Sequence, residues 1–371
     1  MLAWKANIGR KMRISELSLE EKIGQRFFVG LDVKQPTKII EELIVNQKVG
    51  GILLYKKNYQ SIEEMVDLIN ECKKLNREAN AVPLWIGIDQ EGGRVNRLPP
   101  EILNFPSAYQ LAQTGNEVLI KESASLMAEL LQQLGINVNF APVLDRTTDK
   151  LTSAIGDRAF GQDISKITIW GDIQRKEFQQ RDVLPIIKHF PGHGSTNLDS
   201  HRWIPSTKKT IQQLEKEDMI PFLYAIRQRA DALLVGHLIV PHMTHFRPAT
   251  LSKSFIQEYL RHQLHYDGLI FTDDMRMRAV ELLYGTNQAS IKAFFAGNDV
   301  IVVKYSQKDK VLTKIRQKLN QEKWQEDFDA SVKRILVNKE KYHVTDEVIP
   351  KPSFSVDEMN QKIQAIRNLG K

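Results

Sequence analysis

Short apolar runs rich in β-branched residues alternate along the chain with longer stretches of helical periodicity. That alternation is the mark of strands joined by crossover helices in a parallel sheet. Eight runs read as strands: Arg26–Leu31, Gly50–Tyr55, Leu84–Asp89, Asn137–Val143, Val183–His189, Ala232–Val240, Gly268–Thr272 and Val300–Tyr305. Between them Ile62–Arg77, Glu117–Leu134, Ile164–Arg181, Ile211–Gln228 and Asn287–Ala296 repeat their apolar positions at helical spacing. Ser18-Leu19-Glu20-Glu21 has the form of a capping box and predicts the start of the first helix. Lys308–Lys341 is helical and charged, and Val348-Ile349-Pro350-Lys351-Pro352 links it to a last helix over Val356–Asn368.

An open doubly wound sheet shows the same alternation, so the pattern alone does not close the sheet. The polar residues decide it. Asp89, Lys188, His189, His237 and Asp273 each stand at or just past the C-terminal end of a predicted strand. A barrel gathers all those ends around one mouth, whereas an open sheet gathers only those at its switch point. The expected fold is therefore α/β, a (β/α)₈ TIM-type barrel forming one catalytic domain over residues 12–340. Residues 341–371 are expected to be a linker and helix, too short for an independent domain.

Composition narrows the class. The chain has 371 residues, 42% hydrophobic and 26% charged, which suits a globular protein with a large core. Its net charge of +7 is spread out without a basic stripe, so nucleic acid is not an expected partner. The sole cysteine, Cys72, rules out an internal disulfide and a cysteine-based zinc site; it reads as a bystander on a helix. No run approaches the roughly 18 apolar residues of a membrane span. The basic N-terminus holds too short an apolar stretch for a secretory signal, and Met12 offers an alternative start that makes residues 1–11 a loose arm. A cytoplasmic location is expected.

Three stretches carry chemistry. Lys188-His189-Phe190-Pro191-Gly192-His193-Gly194 leaves a strand with a cation and an imidazole and runs on to Asp199-Ser200-His201. Asp199 and His201 can meet in a turn, where the carboxylate would orient the imidazole and raise its basicity. Three readings stay open on the residues alone: acid/base catalysis, a metal site from His189, His193 and His201, or structural hydrogen bonding. Pro191 and Gly192 break the helical spacing that two ligands on a helix would need. Gly268–Thr272 ends in Asp273-Asp274, whose side chains point apart; one suits a nucleophile, and Asp274 suits a helix cap. Ile88-Asp89-Gln90-Glu91-Gly92-Gly93-Arg94-Val95-Asn96-Arg97 places an acid and two arginines around a glycine turn, fit for gripping hydroxyls or for a buried Asp–Arg pair. Arg158, in Gly156-Asp157-Arg158, joins the set.

Taken together, IDQEGGRVNR, NFAPVLD, GDRAFG, KHFPGHG, DSH and FTDDM resemble glycoside hydrolase family 3, in its bacterial β-N-acetylglucosaminidase branch. The similarity runs from about residue 17 to about residue 305; KHFPGHG followed by DSH is its most specific part. The resemblance implies Asp273 as nucleophile, His201 as general acid/base and Asp199 as its partner. It implies that Asp89, Arg97, Arg158, Lys188 and His189 hold the sugar ring, and it assigns His193 no role. Ser195 departs from the aspartate of many relatives. Members that take their acid from a second α/β domain are longer, so here the acid is expected from the barrel. The activity implied is retaining hydrolysis of terminal β-linked N-acetylglucosamine, from muropeptides in cell-wall recycling, on a small carbohydrate substrate and without metal or cofactor. A metal-dependent barrel hydrolase and a non-catalytic sugar-binding homologue are the alternatives.

Overall fold

The computed structural model describes residues 13–34, 36–147, 155–194, 196, 205–304, 309–320 and 324–369. The N-terminal arm and the Asp199–His201 pair thus lie outside the described residues. All eight predicted strands are present: β1 (Phe27–Gly30), β2 (Gly51–Leu54), β3 (Trp85–Ile88), β4 (Val138–Asn139), β5 (Leu184–Phe190), β6 (Ala232–Val235), β7 (Leu269–Thr272) and β8 (Ile301–Lys304). Every pairing is parallel, in the order β7-β6-β5-β4-β3-β2-β1-β8. The two outer strands then meet each other. Phe271 bridges Val300, and the Thr272 N–H donates to the Val300 carbonyl at 3.0 Å. The sheet closes into a (β/α)₈ barrel.

Local chemistry explains where the elements depart from the periodicity. Pro142 has no N–H to donate, so β4 stops at Asn139. Pairing resumes beyond it, with Leu144 N–H donating to the Lys188 carbonyl at 2.8 Å. The expected helix over 211–228 is two helices, Ile211–Glu215 and Ile220–Arg227, because Pro221 cannot continue one helix but suits the first turn of the next. Ser18 and Glu21 form the expected reciprocal cap.

Phe28, Trp85, Phe140 and Phe271 fill the barrel interior with tilted and edge-on ring contacts. Below them Lys339, fully buried, donates to Gln25 Oε1, the Gly50 carbonyl and the Pro83 carbonyl, and lies 4.7 Å from the Trp85 ring. Burial pushes this ammonium down to about 7, but three carbonyl acceptors satisfy its donors. The bottom of the barrel is thereby plugged, and polar chemistry is left to the opposite mouth.

Residues 341–369 lie along the barrel wall. Asp346 accepts from Asn76 Nδ2 and from the Leu84 N–H, and Asn360 exchanges hydrogen bonds with the 101–103 segment. Met359, Ile363 and Ile366 of helix Val356–Leu369 join the main core. Among the described residues no helix is long and apolar enough to cross a membrane.

Candidate active site

The C-terminal ends of β3, β5 and β7 and the segments after β4 and β6 converge at the mouth. Past β3 the chain turns on Gly92 and Gly93, both at positive φ; a Cβ on Gly92 would stand 2.3 Å from the Pro106 carbonyl oxygen. Asn139 locks that turn to β4, accepting from the Gln90 N–H and donating to the Gln90 carbonyl. Asp89, Gln90 and Glu91 are thus held on a fixed ledge.

On this ledge four charges balance. Lys188 Nζ donates to Asp89 Oδ1 at 2.8 Å and stands 2.6 Å from Glu91 Oε1. Arg158 grips Glu91 in a fork, Nε to Oε2 at 2.7 Å and Nη2 to Oε1 at 2.8 Å. Burial alone would raise the Glu91 carboxyl, but Arg158 and Lys188 outweigh it and hold the group well below the usual carboxylate range. Burial works against the Arg158 cation too, and Glu91 more than offsets it. Asp89 keeps a quarter of its side chain exposed, at 24%, against 4% for Glu91. The buried partner of the arginine is therefore Glu91, and Asp89 faces the opening with Lys188 behind it.

Asp145 organises the next pair. Both of its oxygens are used: Oδ2 accepts from His189 Nδ1 at 2.6 Å and from the His189 N–H at 3.1 Å, and Oδ1 accepts from the His193 N–H at 2.7 Å. That fixes the proton on His189 Nδ1 and leaves Nε2 toward Arg158 Nη2, 3.5 Å away. The His193 ring packs edge-on against His189 at 5.4 Å. Burial pushes His193 down to about 4 despite Asp145, so it is neutral at neutral pH.

Asp273 leaves β7 among these imidazoles. Burial would raise its carboxyl; His189, His237, the Asp274 N–H and His193 together hold it below the ordinary value. The Asp274 N–H donates to Asp273 Oδ1 at 2.8 Å. Asp274 itself turns away. Its carboxylate accepts from the Arg276 N–H at 2.9 Å, holding a turn ahead of helix Arg278–Tyr284, whose N-cap is Met277 rather than the acid. Burial raises Asp274, with Lys304 3.6 Å away. His237 is a brace: Nδ1 accepts from Thr250 Oγ1 at 2.8 Å and Nε2 donates to the Asp274 carbonyl at 3.0 Å.

Asp89, Arg158, Lys188, His189 and Asp273 therefore share one mouth. Arg97 lies at its edge: its N–H is held by Gln90 Oε1, and its buried Nε has no hydrogen-bond partner among the described residues. Arg97 and Asp89 both act electrostatically on the Tyr55 phenol past β2, which burial pushes up. Asp199 and His201 lie outside the described residues. Glu91 and Asp145 were given no role from sequence, although each sits inside a recognised motif. Their only sequence signal was an acid within a few residues of a strand end. Among the described residues no three acids, histidines or cysteines cluster as a metal-ligand set.

Residues 18–337 match the glycosyl hydrolase family 3 N-terminal domain. A beta-hexosaminidase of Idiomarina loihiensis is 36% identical over 267 residues, spanning 71% of this chain and 78% of that protein. Beta-hexosaminidase LpqI of Mycobacterium tuberculosis is 32% identical over 291 residues, spanning 76% and 72%. Among solved structures, a glycoside hydrolase family 3 beta-N-acetylglucosaminidase from Paenibacillus sp. superposes with a TM-score of 0.89 at 31% identity, covering 95% of this chain and 69% of that one. With its barrel and its ring of strand-end acids and bases, the chain belongs to glycoside hydrolase family 3 and is a glycoside-cleaving enzyme.

Proposed function

We propose that the enzyme is a retaining β-N-acetylhexosaminidase that removes terminal β-linked N-acetylglucosamine, with muropeptides of cell-wall recycling in the cytoplasm as its substrates. The observation that carries it is the Asp273 carboxylate, ionised and fixed at the end of β7 by the Asp274 N–H and surrounded by imidazoles. One oxygen is committed to that N–H, and the other, which has no hydrogen-bond donor among the described residues, is the one assigned to attack.

In the first step Asp273 attacks the anomeric carbon, the bond to the leaving oxygen breaks, and His201 passes its proton to that oxygen. In the second, neutral His201 takes a proton from water, the water oxygen bonds to the anomeric carbon, and Asp273 leaves. Asp199 holds the His201 imidazole in orientation. A neutral base avoids bringing a second carboxylate toward the anionic nucleophile. Asp89, Lys188, Arg158, His189 and Arg97 hold the ring, with Asp89 accepting hydroxyl donors and the cations donating to ring substituents. The names of the relatives, beta-hexosaminidase and beta-N-acetylglucosaminidase, support the substrate class.

Asp273→Asn should keep the fold and lose several orders of magnitude in turnover of an aryl N-acetyl-β-glucosaminide. A 5-fluoro glycoside should label Asp273 in peptide mass spectra; label on Asp274 would overturn the assignment.

A further inference from the structure

The chain on either side of the Asp199–His201 segment converges on one buried carboxylate. Asp218 lies between helices Ile211–Glu215 and Ile220–Arg227 and is 1% exposed. Its Oδ1 stands 3.1 Å from Nη2 of Arg146, the residue after Asp145, and its Oδ2 accepts from Lys209 Nζ at 3.1 Å. The outgoing stem rests on the same group. A Cβ on Gly192 would stand 3.0 Å from the Asp218 Cβ and carbonyl oxygen, and one on Gly194 only 2.7 Å from Asp218 Oδ1. The returning stem is stitched beside the chain that follows β6: Ser206 bridges Ile239, and the Ile239 N–H donates to the Pro205 carbonyl at 2.8 Å. Three residues past Ser206, Lys209 reaches back to Asp218.

A carboxylate at this depth needs cations, and losing them would leave an uncompensated buried charge. Here the two cations come from separate places, Arg146 beyond β4 and Lys209 on the returning stem. Glu217, beside Asp218, supplies the second anion, 3.7 Å from Arg146 and paired with Lys209. The pairing leaves both stems little choice of position.

We propose that Asp218 is a positioning residue for the hydrolysis: with Arg146 and Lys209 it sets the points from which the segment bearing Asp199 and His201 departs and to which it returns, and so aligns the acid/base with Asp273. The inference rests on His201 being the acid/base. A catalytic group misplaced by about 1 Å costs on the order of a hundredfold in rate.

The test measures kcat/KM of the full-length Asp218→Ala variant on two substrates. One is N,N′-diacetylchitobiose, whose leaving group needs a proton; the other is 2,4-dinitrophenyl N-acetyl-β-glucosaminide, whose leaving group does not. The expected result is a loss of about tenfold to a hundredfold on chitobiose and a change below about threefold on the dinitrophenyl glycoside. Azide should restore kcat on the latter and appear in the product as a glycosyl azide. Lys209→Met should show the same split in weaker form. His201→Ala, run in parallel, separates the two ideas: equal loss on both substrates there removes the acid/base reading and the inference with it. A clear split for His201→Ala beside equal loss, or no loss, for folded Asp218→Ala overturns the positioning role alone. Should Asp218→Ala fail to fold, Lys209→Met decides, and absence of a split there overturns the proposal.

Discussion

Glu91→Gln isolates the electrostatic centre of the site with almost no change of shape. The native carboxylate faces Lys188 at 2.6 Å and both arms of the Arg158 fork, and only 4% of its side chain is exposed. The amide keeps one acceptor oxygen but turns an N–H₂ group toward a cation, and the two buried cations are left with Asp89 and, for Arg158, Asp145 as the remaining anions. Removing one partner from a buried ion pair costs about 3–5 kcal/mol. An unfolding entropy of roughly 2.1 cal/mol/K per residue, over 371 residues, is about 0.8 kcal/mol/K. The melting temperature should therefore fall by about 4–6 °C.

The pH dependence has a definite sign. Glu91 is depressed in the folded state below its ordinary 4.5, so its stabilisation is complete above 4.5 and disappears only as pH falls through the folded value. The gap between native and variant melting curves should hold steady from about pH 6 to 8 and close only in acid. In the variant Lys188 keeps Asp89, but Arg158 loses its charged two-oxygen partner and has at most one amide oxygen to donate to, so kcat/KM should fall as well. Differential scanning calorimetry and steady-state kinetics on the same preparation check both. A melting temperature within about 1 °C of the native value would refute the electrostatic reasoning, and a destabilised but fully active enzyme would refute the orienting role.

Asp89→Ala should behave in the opposite way, because the carboxylate is partly exposed: kcat/KM falls more than about tenfold, or 1.4 kcal/mol, with little change in melting temperature. Unchanged single-turnover rates in a destabilised protein would sink its role in holding the ring. Asp199→Ala should give a milder form of the His201→Ala defect on unactivated substrates, since the imidazole stays and only its orientation is lost; a defect equal on activated and unactivated glycosides would argue against the pair. Cys72 is fully buried, and burial pushes its thiol up, so a disulfide reagent should leave the native enzyme unlabelled and titrate one thiol after denaturation. Rapid labelling of the native protein would contradict that.

The barrel was legible because parallel strands covered on both faces read as unbroken apolar runs, and each such run here is a strand. Boundaries failed where one residue changes the hydrogen bonding, as at Pro142 in β4 and Pro221 between two helices. Cys72 stands on a helix, as its sequence context implies, but its burial is hidden there because its immediate neighbours are polar. Its helical partners Met65, Ile69 and Asn76 are all buried, and that spacing was available in the sequence. Glu91 and Asp145 could not have been assigned in the same way. The arginine that defines Glu91 lies 67 residues away and the imidazole that defines Asp145 lies 44 away, so only the closed barrel brings each acid to its partner. For His237 a strand-end position is equally compatible with binding and with bracing, and the engagement of both ring nitrogens makes it a brace.

Asp273 and Asp274 show why residue type alone leaves roles unassigned. Alternation along a strand says that adjacent side chains diverge, but it is silent on which one meets the imidazoles. In the folded chain Asp273 is held below its ordinary range by His189, His237, the Asp274 N–H and His193, while Asp274 is pushed up by burial that Lys304 and the Arg276 N–H only partly offset. Two neighbouring carboxyls of identical chemistry are thus driven in opposite directions, and such a divergence is how one site separates the roles of like groups. The acid kept ionised at the mouth can attack; its neighbour, bonded to the Arg276 N–H, holds the turn. His237 links the two: it is one of the groups that hold the Asp273 carboxyl below its ordinary value, and its Nε2 grips the Asp274 carbonyl. A substitution at His237 should therefore disturb the ionisation of Asp273 and the backbone at Asp274 together, although the imidazole is fully committed to structural hydrogen bonds.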